Sequence, residues 1–197
     1  MKIAFIGTGL MGYPMAKNLI NKKLNLKVFS RTLEKAKPLE KLGAIIANSL
    51  GEAVKETDIV ITMLTDDEAV EKVLGDQEFL NNLKNSSTVI DMSSIKPKIS
   101  IQYGKLLKDR NIHFLDAPVS GGTIGAEEGS LAIMVGGDQN VFDEAFDTLK
   151  IMGNPTLVGP IGSGQVSKLA NQIIVGVTIG AVAEAITLCE KAGVDAN

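Results

Sequence analysis

The 197-residue chain has one cysteine, one histidine and no tryptophan. A lone Cys189 cannot form an intramolecular disulfide, which excludes the disulfide-scaffold class and points to a reducing, cytoplasmic setting. It lies in an apolar helical stretch and reads as a packed, inert thiol. No group of His, Cys, Asp and Glu has metal-ligand spacing, so no metal is expected. Lys and Arg total 20 against 23 Asp and Glu, a net charge of −3. That balance lacks the basic stripe that nucleic acid or an anionic membrane requires. A secretory leader is not expected either, because only the four apolar residues 3–6 separate Lys2 from Gly7. The longest uncharged apolar stretch, residues 171–183, falls short of the roughly 20 residues of a membrane span and reads as a buried helix.

What is present is an ordinary globular composition, 45% hydrophobic and 22% charged. A chain of this length buries roughly 70% of its unfolded surface and needs no covalent staples. Short β-rich runs (2–6, 26–30, 44–47, 58–63, 88–91, 113–116, 131–135 and 156–158) alternate with helical patterns (11–21, 33–42, 50–56, 67–74, 99–109 and 141–150). Such alternation predicts an α/β fold, a Rossmann-like doubly wound and mostly parallel sheet. The last segment differs. From Gln165 to Ala192 nothing breaks a helix, and Gly193 stands where a C-terminal cap belongs. This predicts a long interdomain helix, about 42 Å at 1.5 Å per residue. Gly176 and Gly180, four apart, would let another helix approach it closely or merely tolerate local crowding. The expected division is a nucleotide-binding domain over 1–163 and a connecting helix over 164–197. The final Val194-Asp195-Ala196-Asn197 reads as the start of a further turn and helix cap. A helical domain or partner subunit is therefore expected beyond this chain.

Gly7-Thr8-Gly9-Leu10-Met11-Gly12 lies between the first strand and the first helix. In that context, G-x-G-x-x-G is a dinucleotide-binding fingerprint. Gly7 makes the tight turn, Gly9 admits a pyrophosphate against the backbone, and Gly12 lets helix and strand pack closely. The phosphates then meet free N–H groups at the positive end of a helix. The second strand ends in Ser30-Arg31-Thr32 rather than the carboxylate that binds an NAD ribose. An arginine and two hydroxyls favour a 2′-phosphate, so NADP is expected, with NAD as second choice.

Two further segments carry chemistry. In Asp116-Ala117-Pro118-Val119-Ser120-Gly121-Gly122, the Gly121 and Gly122 amides and the Ser120 hydroxyl can cradle an anion such as a substrate carboxylate, or form a plain turn. Gly159-Pro160-Ile161-Gly162-Ser163-Gly164 leads into the long helix. One turn inside, Lys168 and Asn171 share a face at i, i+3. A partly desolvated Lys168 would have a lowered pKa and could exchange a proton with a carbonyl oxygen; the alternative is a lysine that snorkels to solvent. His113 opens a strand, which favours a structural role. Asp66-Asp67-Glu68 supplies negative charge at a helix N-terminus.

Taken together, these motifs resemble the β-hydroxyacid dehydrogenase family. Ile6–Gly12 continued by Pro14-Met15-Ala16-Lys17-Asn18-Leu19 is similar to its nucleotide signature. Residues 116–122 resemble its substrate-carboxylate loop, and 159–171 its glycine-rich catalytic segment. Met63-Leu64-Thr65-Asp66-Asp67 and Asp91-Met92-Ser93-Ser94 resemble the segments lining the nicotinamide. The resemblance implies Lys168 as the catalytic lysine and Ser120, Gly121, Gly122 and Asn171 as substrate contacts. It implies cofactor contacts at Leu64, Thr65 and Ser94, and NADP preference from Ser30–Thr32. Thr65 stands where the family often has proline. Gln172 replaces a frequent second asparagine, as in the tartronate semialdehyde reductases. The implied activity is hydride transfer between NADP(H) and a small 3-hydroxy acid or its oxo form, in a homo-oligomer built through the helical domain. The rival expectation is a non-catalytic nucleotide-binding module, or a cofactor-binding fragment inactive without its C-terminal domain.

Overall fold

The computed structural model describes residues 1–195. Nine strands and nine helices run in the order β1 (Lys2–Ile6), α1 (Gly12–Asn21), β2 (Asn25–Phe29), α2 (Leu33–Glu40), β3 (Ile45–Ile46), α3 (Leu50–Val54), β4 (Ile59–Thr62), α4 (Asp67–Leu74), α5 (Gln77–Asn82), β5 (Thr88–Asp91), α6 (Pro97–Lys108), β6 (His113–Asp116), β7 (Val119–Ser120), α7 (Gly122–Glu128), β8 (Leu131–Gly136), α8 (Gln139–Lys150), β9 (Gly153–Gly159) and α9 (Ser163–Lys191) among the described residues. β1, β4 and β5 read as continuous Ile/Val/Ala/Phe-rich runs because helices cover both faces of the sheet. Two apolar cores result. One lies around Phe5, Met15, Leu19, Ile61 and Leu115. The other lies around Ile6, Val60, Phe79, Val89 and Leu107 on the opposite face.

The sheet order is β3-β2-β1-β4-β5-β6-β8-β7, with β9 beside β8. The pairs from β3 through β6 are parallel; β8 runs antiparallel to β6 and β7, and β9 is parallel to β8. The mostly parallel doubly wound sheet is therefore as expected. Strand order reverses beside β1, and in such sheets ligands bind at the carboxyl ends of the strands there. Three short elements, α5, β7 and α7, were not expected from the sequence.

α9 departs from expectation in its surroundings. It is 29 residues long, about 44 Å. Only Gly164 and Gln165 in it are buried. The apolar stretch 171–183, expected to be buried, is almost wholly exposed: Ile173, Ile174, Val177 and Ile179 are each about two-thirds accessible. The sequence makes this helix apolar, but both faces of the sheet are already covered by other helices, and α9 leaves the domain after its first turns. Its length and a mean hydropathy of 1.8 meet the length and composition of a membrane span, which the core helix of a soluble protein also meets. Gly193 adopts φ +78° just past the helix end, as its C-terminal placement predicted. Of the final four residues, Ala196 and Asn197 lie outside the described residues.

Candidate active site

Gly7–Gly12 connects β1 to α1 at the carboxyl edge of the sheet. Gly7 has φ +100°, and its N–H donates to the Phe29 carbonyl at 3.0 Å, tying the turn to β2. A Cβ on Gly7 would collide with the Met63 carbonyl oxygen, and one on Gly12 with the Gly7 carbonyl oxygen. Both glycines are thus required by backbone approaching backbone. A Cβ on Gly9 would meet nothing within 4 Å, so its backbone faces open space. Next to it the Thr8 hydroxyl is buried and has no hydrogen-bond partner. α1 begins without a side-chain cap; the Tyr13 and Met15 N–H groups donate to the Gly9 and Met11 carbonyls, and Pro14 has no N–H to satisfy. An unsatisfied buried hydroxyl, an uncapped ten-residue helix and a vacant space before Gly9 together fit a pyrophosphate.

The loop divides two depressions. One, of about 380 Å³, is lined by Gly7, Thr8, Gly9, Ser30, Arg31, Thr32, Leu64 and Thr65, together with Lys35, Lys72 and Asp76. Arg31 and Thr32 are exposed on its rim while Ser30 is buried. Lys35 and Lys72, which the sequence reading did not single out, add positive charge to the same rim. The other, about 770 Å³, runs between α1, α2 and α7 and is lined by Leu10, Tyr13, Lys17 and Glu127 among others. Leu10 is 84% exposed, and Met11 is half-buried against the core.

Across the switch point, the Leu64 N–H donates to Ser93 Oγ at 2.9 Å. Thr65 and Ser94 are exposed and share a shallow depression with Asp66, Asp67 and Glu68. Asp66 caps α4 by accepting from the Ala69 N–H at 2.9 Å, so this acidic run serves a helix start as expected. Beneath lies a polar cluster that the sequence did not reveal. Asp91 Oδ1 accepts from Thr62 Oγ1 at 2.8 Å and from Ser93 Oγ at 2.6 Å, while Oδ2 has no partner. Asp91 is fully buried, and burial pushes its carboxyl up to about 6.

Asp116 does not join the anion loop it precedes. Its buried carboxylate accepts from the Gly162 N–H at 2.6 Å and the Gln165 N–H at 3.0 Å. It thereby caps α9 from a neighbouring strand, because the residue at the cap position, Gly162, has no side chain to do so. Burial raises the pKa of Asp116 as well. The following Ser120 ends β7, and Gly121 and Gly122 are exposed with φ +136° and +62° as α7 begins. Asn171 Nδ2 donates to Ser120 Oγ at 3.1 Å, joining the two segments expected to meet substrate. Lys168 lies one turn earlier on α9. It has no ion pair among the described residues, and partial burial lowers its pKa. His113 is exposed at the amino end of β6, away from this edge. Cys189 is half-buried near the far end of α9.

A family model described as the NAD binding domain of 6-phosphogluconate dehydrogenase matches residues 2–171. One described as the NAD-binding of NADP-dependent 3-hydroxyisobutyrate dehydrogenase matches residues 162–197. The chain is 42% identical over 197 residues to 2-hydroxy-3-oxopropionate reductase of Escherichia coli, covering 99% of this chain and 67% of that protein. It is 39% identical to a probable mitochondrial 3-hydroxyisobutyrate dehydrogenase of Dictyostelium discoideum, covering 98% of this chain and 61% of the relative. The solved structure of Mycobacterium tuberculosis 3-hydroxyisobutyrate dehydrogenase with L-serine superimposes with a TM-score of 0.94 at 35% identity, covering 99% of this chain and 67% of that one. The chain thus spans roughly two thirds of the length of these relatives. With its glycine loop, its switch-point groove and these matches along its whole length, the chain belongs to the β-hydroxyacid dehydrogenase family of NAD(P)-binding oxidoreductases.

Proposed function

We propose that this chain binds NADP(H) in preference to NAD(H) and reduces a small carboxylate-bearing carbonyl, with Lys168 as proton donor. The observation that carries the reading is the Asn171–Ser120 hydrogen bond, which brings the Lys168 helix against the end of β7 at the carboxyl edge of the sheet. Gly7, Thr8, Gly9, Leu10, Met11 and Gly12 hold the pyrophosphate, and Ser30, Arg31 and Thr32 receive the 2′-phosphate. Leu64, Thr65 and Ser94 flank the nicotinamide, which when bound supplies a hydride to the carbonyl carbon. Ser120 with the Gly121 and Gly122 amides orients the substrate carboxylate, and Asn171 holds the substrate. Lys168 gives its ammonium proton to the carbonyl oxygen, a transfer that its lowered pKa favours. The reverse reaction oxidises the 3-hydroxy acid, with Lys168 as base.

We read residues 1–163 as the nucleotide-binding domain and 164–197 as a connecting helix. A second copy packing on the apolar face of α9 would cover it, in a soluble cytoplasmic homo-oligomer. The exposure of α9 also favours a second reading, in which the chain binds cofactor but turns over slowly because water reaches the site.

Two assays test the proposal. Fluorescence titration should give tighter binding of NADPH than NADH. Arg31→Ala should weaken NADPH about 10- to 100-fold, the worth of a charged hydrogen-bonded contact, and leave NADH unchanged. Equal affinities for the two cofactors would overturn the NADP assignment. A panel of semialdehydes and glyoxylate, led by 2-hydroxy-3-oxopropionate, should include a compound reduced with NADPH. Turnover confined to carbonyls without a carboxylate would overturn the substrate class.

A further inference from the structure

Gln165 is an anomaly within α9. It is 1% exposed, and it is the only large side chain of that helix that is buried. A helix with so apolar a middle stretch would ordinarily bury an apolar residue at its root. Here both polar atoms of the buried carboxamide are hydrogen-bonded across the sheet edge. Its Oε1 accepts from the Ile95 N–H at 3.0 Å, and its Nε2 donates to the Ser93 carbonyl at 2.8 Å. Its own N–H donates to Asp116 Oδ2. Glycines leave room for this junction: a Cβ on Gly164 would stand 2.8 Å from Asp116 Oδ2.

The bonds at Ser93 and Ile95 bracket Ser94, and Ser93 Oγ in turn receives the Leu64 N–H. One side chain therefore ties the Lys168 helix directly to the segment around Ser94 and, through Ser93, to Leu64. Lys168 lies three residues on, within one turn and on the same side of the helix. A leucine or methionine could fill the volume without two aligned partners. Buried polar networks instead select one arrangement, because any other leaves their groups unpaired.

We infer that Gln165 is a positioning residue: its carboxamide sets the distance and angle between Lys168 and the Leu64/Ser94 side of the site. This rests on the role proposed above for Lys168. Misplacement by about 1 Å at a reacting centre costs on the order of 100-fold in rate.

The test compares the full chain with Gln165→Met, which keeps length and volume but loses both side-chain bonds. Gln165→Glu, which keeps the acceptor for Ile95, serves if the first variant does not fold. NADPH affinity and KM should stay near the parental values while kcat falls about 10- to 100-fold. Independently of turnover, reductive ¹³C-methylation gives each lysine an NMR signal, and Lys168→Arg identifies the one from Lys168. That signal should titrate below the ordinary lysine value in the parent and move up towards it in the Gln165 variant. A parental kcat and an unmoved signal in a folded variant would overturn the inference. So would a kcat loss matched by an equal loss of NADPH affinity. If Lys168→Ala retains turnover, the proton-donor reading fails, and the methyl signal alone then decides whether Gln165 positions Lys168.

Discussion

The buried Asp91 carboxyl offers the sharpest physical prediction. Burial holds it at about 6, against 3.8 for an ordinary aspartate. The folded state thus binds its proton more tightly than the unfolded chain does. The resulting stability is fully present below 3.8 and is lost as pH rises through about 6. At neutral pH the ionised carboxylate costs the fold about 3 kcal/mol, a substantial share of the roughly 5–15 kcal/mol that sustains a domain. Acidifying from about pH 7.5 to about pH 5 should recover about 1.4 kcal/mol of it. The carboxylates with lowered pKa values, Glu56, Asp58, Asp66 and Asp67, act at more acid pH and in the opposite sense. Asp116, also raised, acts in the same sense as Asp91 and is present in both proteins compared. Asp91→Asn keeps an acceptor for Thr62 and Ser93 but cannot titrate. Urea unfolding of parent and variant across this range should therefore give a stability difference that changes by about 1.4 kcal/mol, or about 3–6 °C in Tm. Parallel curves for the two proteins would mean that folding leaves the Asp91 proton affinity unchanged.

Two further outcomes follow from the geometry. Gly12→Ala places a Cβ against the Gly7 carbonyl oxygen, a backbone atom that cannot rotate away. NADPH affinity should fall at least about tenfold, and a parental Kd by fluorescence titration would contradict the fit. The exposed apolar face of α9, with Ile173, Ile174, Val177 and Ile179, should drive concentration-dependent self-association in sedimentation velocity. Asp substitution at Ile174 and Val177 should suppress it, and a parent that stays monomeric at all concentrations would contradict the packing role.

How much of this was legible depended on whether the cause was local. The glycine loop could be read directly, because three glycines between a strand and a helix express one local constraint. Most strands of the parallel sheet could be read because burial on both faces demands unbroken β-branched runs. β7 and α7 were missed because Ser120-Gly121-Gly122 reads as a turn and the elements are too short for periodicity. Asp91, Asp116 and Gln165 look like ordinary polar residues in sequence. Their weight comes from burial and from partners as many as 72 positions away, as for Gln165 and Ser93. α9 was legible as a long connecting helix, while the reading of its apolar stretch 171–183 as buried supposed a cover that this chain does not supply. Composition records how apolar a helix is, not what covers it.

The proposed chemistry rests most directly on Lys168. A single-turnover experiment mixes NADPH-loaded protein with an accepted semialdehyde and follows loss of the reduced nicotinamide absorbance. Lys168→Ala should bind NADPH as the parent does and slow that decay by about 100-fold or more, the size of a general-acid contribution. Decay at the parental rate in Lys168→Ala would contradict the proposed chemistry.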